Sequence, residues 1–165
     1  MKKVLIVEDE ILARLGLRQL VDWKKLELEL LPDATDGEEA LEMIRNSCPD
    51  IILLDLNIPK VSGLEILEFL KKEEMPTKVI VVSCQEEFDV VKKAMKLGAY
   101  DYLRKLNLSS DELENILEKC LVETEERITV HMQGIREIRY EEIVRDSRDI
   151  LAGACNYQTI ICILA

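Results

Sequence analysis

The chain has 165 residues, 48% of them hydrophobic and 33% charged, a composition typical of a folded globular domain with an extension. Its 33 acidic residues outnumber its 22 Lys and Arg residues, giving a net charge of −11, whereas proteins that bind a phosphate backbone carry a basic stripe. We therefore expect this segment to bind no nucleic acid.

No apolar run approaches the ~20 residues that a membrane helix needs, so no membrane contact is expected. The five cysteines form no C-x-x-C pair, which predicts reduced thiols in a cytoplasmic protein.

Short apolar runs alternate with helical patterns along the first two thirds of the sequence. The runs predict strands at residues 3–7, 28–34, 51–55, 78–83 and 100–105. Pro32 removes a ladder hydrogen-bond donor from the second run, so that strand is expected at a sheet edge. The third run, Ile51 to Asp55, is almost wholly apolar and predicts a central strand buried on both faces.

Each predicted strand is followed by apolar residues at helical spacing. Three of these helices carry a predicted capping box, in which a capping side chain is followed by Glu three positions later: Asp36 with Glu39, Ser62 with Glu65 and Ser109 with Glu112. Gly98 is expected to close the fourth helix. Strands alternating with helices over about 120 residues predict an α/β fold, a flavodoxin-like doubly wound five-stranded parallel sheet in the order 2-1-3-4-5.

The remaining sequence predicts a C-terminal helical extension beyond a first domain at residues 1–122. Residues 123–150 are dense in both signs of charge, with isoleucines at 128, 135, 138 and 143, which indicates a charged helical linker that could pair with a second copy. Residues 151–165 contain one apolar run and are interpreted as the start of a truncated following domain or a disordered tail.

Polar residues end or directly follow four of the five predicted strands, at the carboxyl edge of the sheet. Glu8 and Asp9 follow the first strand, Asp55 the third, Ser83 the fourth and Lys105 the fifth. Three carboxylates brought together repel one another and raise at least one pKa unless a cation joins them, and Mg²⁺ prefers such oxygen ligands. The lysine and the hydroxyl are then free to meet anionic oxygens. The pattern predicts a site for a phosphoryl group, with Asp55 as the nucleophile.

These residues carry a resemblance to a known family. The stretch from Val7 to Glu10, the turn from Asp55 to Pro59 with Ser62-Gly63, then Ser83, and Tyr102 to Lys105 together resemble the receiver domain of two-component response regulators. The resemblance covers residues 1 to about 122 and includes the order and spacing of every motif.

The resemblance implies a signalling switch that catalyses only its own phosphorylation and dephosphorylation and is otherwise not an enzyme. Asp55 would accept a phosphoryl group from a sensor histidine kinase, and Lys105 would pair with that group. The implied Mg²⁺ ligands are Glu8, Asp9, Asp55 and the backbone carbonyl of Asn57. Ser83 and Tyr102 would be the switch residues, and Asn57 and Gln85 would tune the lifetime of the phosphate. Phosphorylation is expected to promote a homodimer through the fourth helix, fifth strand and fifth helix.

Two positions depart from the family pattern. The family usually has a cis proline after the lysine, whereas this chain has Leu106. A cis bond to a non-proline residue costs ~2.5–4 kcal/mol, which favours a trans bond here and a different position for Lys105. Cys84 stands where a smaller residue is common, and we expect it to alter the packing beside Ser83.

The segments from Ile11 to Trp23 and from Cys84 to Asp89 resemble, more narrowly, the receivers of regulators that carry an AraC-type helix-turn-helix. No such reader lies in these 165 residues, so a transcriptional output is expected outside this chain. The alternative is a stand-alone or phosphate-independent receiver that acts by protein–protein binding. A hydrolase of the haloacid dehalogenase type is disfavoured, because it needs a second aspartate at position 57, where this chain has Asn57.

Overall fold

The computed structural model describes residues 1–84 and 88–122. Within this part, strands and helices alternate as follows: β1 Lys2–Val7, α1 Ile11–Leu20, β2 Leu28–Leu30, α2 Gly37–Ser47, β3 Ile51–Leu54, α3 Gly63–Lys72, β4 Lys78–Ser83, α4 Phe88–Leu97, β5 Asp101–Arg104, a 3₁₀ turn Lys105–Asn107, and α5 at 110–122. The predicted linker and tail, residues 123–165, lie outside the described residues, as does Gln85. No helix in the described ranges is long and apolar enough to cross a membrane.

The five strands form one parallel sheet in the order β2-β1-β3-β4-β5, which confirms the predicted flavodoxin-like topology. β1 and β3 are the central pair, with Val4 opposite Ile51 and Val7 opposite Leu54. Because this register ends both strands together, the residues that follow them emerge side by side at the carboxyl edge.

The core explains why the central strands are continuous apolar runs. All four residues of β3 are buried. Alternate strand residues such as Leu5 and Ile52 pack with α2, α3 and α4 on one face. The intervening residues face the opposite side, where Leu17 of α1 and Leu113 and Leu117 of α5 are buried, so helices cover both faces.

The second and fifth strands are shorter than predicted. β2 ends at Leu30, and the chain returns to the sheet only through a single bridge between Ala34 and Val7. Pro32 lies between these points and lacks the amide hydrogen that a longer ladder would need. β5 ends at Arg104, so that Lys105 opens the 3₁₀ turn instead of ending the strand.

The helix ends follow local side-chain chemistry. Asp36 caps α2 by accepting hydrogen bonds from Glu38 N and Glu39 N. The predicted box is wrong in its second half, because the Glu39 carboxylate accepts from Thr35 N and Thr35 Oγ1 and not from Asp36. The Ser62 box on α3 is complete.

The start of α5 matches the predicted capping box in part, and the end of α4 matches its prediction in full. At the start of α5, Glu112 N donates to Ser109 Oγ at 3.2 Å, which is the first half of the predicted box. Gly98 directly follows α4 with φ +103°, a left-handed conformation that glycine adopts without steric cost.

Candidate active site at the carboxyl edge of the sheet

Glu8 is held at the end of β1 with its side chain inside the protein. Its amide donates to Ala34 O at 3.0 Å, and its side chain is 1% exposed. The Oε1 atom accepts a hydrogen bond from Glu10 N at 3.2 Å, which folds the acidic turn back on itself. The neighbouring Asp9 is exposed, so the turn presents one buried and one solvated carboxylate.

Asp55 lies beside Glu8 because β1–β3 pairing extends one residue past the strand. Asp55 N donates to Val7 O at 3.0 Å, and the side chain is 7% exposed. Its Oδ1 accepts from Asn57 N at 3.2 Å, which fixes the start of the following turn. The backbone is equally confined, since a Cβ at Gly63 would lie 2.5 Å from Asp55 O.

Lys105 reaches both carboxylates from the 3₁₀ turn. Its Nζ lies 2.6 Å from Asp55 Oδ2, to which it donates a hydrogen bond, and 2.6 Å from Glu8 Oε2. No cis peptide bond occurs in the described ranges, so the bond to Leu106 is trans, as the missing proline predicts. The sequence predicted a different position for Lys105. Its side chain nevertheless contacts both Asp55 and Glu8.

Burial and charge shift two pKa values in this cluster. Burial of the carboxylate raises the pKa of Glu8, and the neighbouring Lys105 ammonium offsets only part of that effect. The charge of Asp55 adds to the rise but is a smaller cause, so desolvation outweighs the carboxylate repulsion expected from the sequence. Burial of the ammonium lowers the pKa of Lys105, but its contacts with Asp55 and Glu8 outweigh burial, and the net pKa is raised.

The donor set fits a hard divalent cation. One carboxylate oxygen from each of Glu8, Asp9 and Asp55 lies within 4.8 Å of the others. Glu8 Oε2 is buried, and Lys105 Nζ lies 2.6 Å from it. Such an oxygen retains lone pairs for a metal, and oxygen ligands are what Mg²⁺ prefers.

The other predicted site residues lie at or next to the same edge. Ser83 ends β4 with 1% exposure, and Tyr102 in β5 is half-buried against the core. The side chain of Asn57 is exposed, in the turn after Asp55. Cys84 is exposed as well, which does not support the expected change in the packing beside Ser83.

Sequence reasoning missed Arg14 of α1. Its Nη1 donates to Glu8 O at 2.8 Å and to Asp9 O at 3.2 Å, the carbonyls of the acidic turn. The signal was a single cation in the first turns of a helix that follows three acids, which by itself is also typical of a solvated helix face.

The sequence and the fold both match known proteins. Residues 4–118 match the family model described as response regulator receiver domain. An uncharacterized response regulatory protein of Staphylococcus epidermidis is 34% identical over 118 residues, which are 72% of this chain and 46% of that protein. The uncharacterized transcriptional regulatory protein YesN of Bacillus subtilis is 30% identical over 141 residues, 86% of this chain and 38% of that protein. This chain thus spans less than half the length of these curated relatives.

Solved structures give the same result. The REC domain of AraT, a response regulator from Geobacillus stearothermophilus, is 32% identical with a TM-score of 0.69, covering 76% of this chain and 97% of that one. A DNA-binding response regulator of the LuxR family from Staphylococcus aureus is 28% identical with a TM-score of 0.67, covering 73% and 98%. Because the matched range takes in most of β1, the other four strands and the acidic cluster, the chain belongs to the response regulator receiver domain family.

Proposed function

We propose that this chain is a phosphorylation-dependent switch in which Asp55 accepts a phosphoryl group from a sensor histidine kinase. The observation that carries the proposal is the convergence of Lys105 on Glu8 and Asp55, with 2.6 Å from its Nζ to an oxygen of each. A nucleophilic carboxylate, a cation and further oxygen ligands are what phosphoryl transfer requires at one point in space. We infer that the chain catalyses only its own phosphorylation and dephosphorylation.

In the proposed step, an oxygen of Asp55 attacks phosphorus and forms a new O–P bond. The bond from phosphorus to the leaving group breaks at the same time. With phosphohistidine the departing imidazole nitrogen takes the electron pair of the P–N bond and a proton from solvent, and with acetyl phosphate the leaving group is acetate. Lys105 holds an oxygen of the transferred group, which leaves Glu8 with its buried negative charge.

Mg²⁺ would be held by Glu8, Asp9, Asp55 and the backbone carbonyl of Asn57. When bound, it supplies positive charge to the phosphoryl oxygens. Glu8 would rely on that positive charge once Lys105 contacts the phosphoryl group. The deep burial of Glu8 supports this assignment, because a second cation compensates a carboxylate that water cannot reach.

The proposed switch residues lie at or near the carboxyl ends of their strands. Ser83 is placed at the end of β4, and Tyr102 lies two residues before the end of β5. We infer that the phosphoryl group draws in both side chains, repacks the surface of α4, β5 and α5, and promotes a homodimer there. Two exposed apolar side chains of α4, Phe88 and Met95, support the inference, and light scattering before and after phosphorylation tests it.

Intact-mass spectrometry after incubation with acetyl phosphate and Mg²⁺ tests the central step. We expect the mass to increase by one phosphoryl group, and we expect no increase in Asp55→Asn or without the metal. A folded wild-type protein that binds Mg²⁺ but gains no mass contradicts the proposal. That outcome favours the second candidate, a receiver that acts by protein–protein binding without phosphate, in which Leu106 has altered the lysine turn.

The output of the switch is proposed to be transcriptional, through an AraC-type reader outside these residues in a cytoplasmic protein. The likeness to YesN, a transcriptional regulatory protein, supports a transcriptional output, whereas the AraC type rests on the sequence resemblance alone, and the similar proteins are varied. They include the nitrate/nitrite response regulator NarL of Escherichia coli, and a protein-glutamate methylesterase/protein-glutamine glutaminase of Pyrococcus horikoshii that is 33% identical over 146 residues. Sequencing the gene past codon 165 distinguishes these outputs from a stand-alone receiver.

A further inference from the structure

The acidic turn between β1 and α1 carries two of the proposed metal ligands, yet its own sequence does little to hold it. Glu10 occupies the N-cap position of α1 and makes no side-chain capping hydrogen bond. Inside the turn, Glu8 Oε1 accepts from Glu10 N at 3.2 Å. Three consecutive acids at residues 8–10 repel one another, so contacts from outside the turn help to fix the direction of the two ligand side chains.

Arg14 supplies that contact from one turn further along α1. Its Nη1 donates to Glu8 O at 2.8 Å and to Asp9 O at 3.2 Å, so one nitrogen ties two successive peptide groups. Its amide also donates to Glu10 O at 3.0 Å, which anchors the arginine to the same turn. Charged donors make the stronger hydrogen bonds to neutral carbonyls.

The guanidinium is itself oriented from the far side by Asp33. Arg14 Nε lies 3.7 Å from Asp33 Oδ2, and both side chains are 16% exposed. Arg18 Nη1 donates to the other oxygen of Asp33 at 2.5 Å. Asp33 thus lies between two arginines, and only Arg14 among them contacts the carbonyls of Glu8 and Asp9.

We propose that Arg14 is a positioning residue for the Mg²⁺ site, acting through the backbone of Glu8 and Asp9 without contacting the metal. This inference rests on the proposed metal site of the receiver. Fixing the two carbonyls fixes the peptide planes on either side of Asp9 and therefore the directions in which the Glu8 and Asp9 carboxylates project. Partners that orient ligands in this way typically matter 10- to 100-fold for metal affinity, by the order of magnitude seen in other sites.

The sign of the effect separates positioning from electrostatics. Arg14 is a cation close to a cation site, so its charge alone disfavours Mg²⁺. Removing that charge should therefore tighten Mg²⁺ binding if Arg14 has no positioning role. Removing a positioning contact should weaken binding instead. Arg18 offers a matched control, since it carries the same charge and contacts the same Asp33 but donates to neither carbonyl of the turn.

The experiment measures Mg²⁺ affinity by isothermal titration calorimetry for wild type, Arg14→Met, Arg14→Lys and Arg18→Met, at a temperature where thermal unfolding shows all four folded. We expect Arg14→Met to weaken binding about 10-fold and Arg18→Met to leave it unchanged or tighter. Arg14→Lys keeps the charge but not the planar guanidinium, and we expect it to remain weaker than wild type. Equal or tighter binding by Arg14→Met overturns the inference.

A second readout needs no metal. Amide hydrogen exchange at Glu10, whose N–H is bonded to Glu8 Oε1, should be faster in Arg14→Met than in wild type and unchanged in Arg18→Met. If wild type binds no Mg²⁺, the proposed metal site fails, and this readout still decides whether Arg14 holds the turn. Unchanged exchange in Arg14→Met overturns the positioning role.

Discussion

The two ends of the central strands both hold charged side chains, but the balance of charge and the exposure to water differ between them. At the amino ends of β1 and β3, Lys2 Nζ lies 2.9 Å from Asp50 Oδ1, with the side chains 32% and 33% exposed. At the carboxyl ends of the same strands, Lys105 lies between Glu8 and Asp55, which are 1% and 7% exposed. One acid meets one ammonium at the first end, whereas two buried acids share one ammonium at the second.

This difference is the one expected between a structural end and the proposed functional end. Asp50 accepts a second hydrogen bond from Lys3 N at 2.8 Å. Its contacts therefore join the amino ends of the two strands, and its negative charge is balanced by the Lys2 ammonium. The carboxyl end keeps a carboxylate in excess in a place where water cannot solvate it. Natural proteins accept such local conflicts at functional sites, at a cost in stability.

The largest expected effect is that of Lys105→Met at the carboxyl end. The substitution leaves two buried carboxylates without their cation, and breaking a buried ion pair in this way costs about 3 kcal/mol or more. We expect the free energy of unfolding, measured by urea denaturation without Mg²⁺, to fall by roughly that amount. A fall of less than about 1 kcal/mol, the range of exposed pairs, would remove the distinction between the two ends.

Asp55→Asn is the matched control for that variant. It removes one of the two acids and leaves Glu8 paired with Lys105 in a one-to-one ratio. We expect stability equal to or above that of wild type, together with the loss of phosphorylation. If Asp55→Asn destabilised the protein as much as Lys105→Met does, the excess of negative charge would not be the source of the conflict.

The backbone of the carboxyl end is as confined as its charges. A Cβ added at Gly63 would meet Asp55 O at 2.5 Å and Leu56 Cα at 2.7 Å, both backbone atoms. Since backbone cannot move aside cheaply, Gly63→Ala is expected to lower the free energy of unfolding by about 1–3 kcal/mol.

Gly16→Ala in α1 provides the comparison for that substitution. A Cβ at Gly16 meets nothing within 4 Å, so alanine should stabilise the helix by roughly 0.5–1 kcal/mol. Thermal unfolding of the two variants therefore gives shifts of opposite sign. If both variants lose stability, the added methyl group at residue 16 disturbs the packing of neighbouring side chains, and the comparison fails.

The fold could be predicted because its strongest signals are local. Apolar runs of strand length mark β1, β3 and β4, and helical spacing with Ser62 and Asp36 as caps marks the ends of helices. Once the strands are parallel, topology alone brings residues 8, 9 and 55 to one edge. The placement of the acids was therefore available from the sequence, whereas their roles stay predictions.

What could not be predicted depends on long side chains and on contacts distant in sequence. The approach of Lys105 to both acids depends on a 3₁₀ turn and not on a strand end. The carboxylate of Glu39 accepts a hydrogen bond from Thr35 N and not, as the capping box predicted, from Asp36 N. The two donors are adjacent in sequence, so residue spacing does not distinguish them. The contacts of Arg14 with the acidic turn are of the same kind, because they require the rotamer of a flexible side chain.

At the amino end, Lys2→Met should have only a small effect. The pair is about one third exposed and is screened by water and salt, and such pairs contribute about 0.2–1 kcal/mol. Urea denaturation in low and in high salt checks this, and we expect the difference from wild type to shrink as salt is added. A loss comparable to that of Lys105→Met would show that burial does not separate the two ends.

The smallest effect is expected from a surface ion pair beside the carboxyl end. Comparing it with the buried pair at the same end tests whether burial determines the size of the effect. Lys60 Nζ lies 2.7 Å from Asp36 Oδ2. The hydrogen bond from Lys60, followed by that from Glu39 N, lowers the pKa of Asp36 below its ordinary 3.8. A carboxyl whose pKa is lowered on folding contributes stability above its unfolded pKa and loses it as the pH falls through the lowered value.

Asp36→Asn keeps a capping side chain but not the charge. The stability difference between wild type and Asp36→Asn, measured by urea denaturation, should therefore be present at neutral pH and disappear on acidification below 3.8. A difference near zero at every pH would assign the contribution of Asp36 to its cap alone, and charge pairing at this end would then matter only where it is buried.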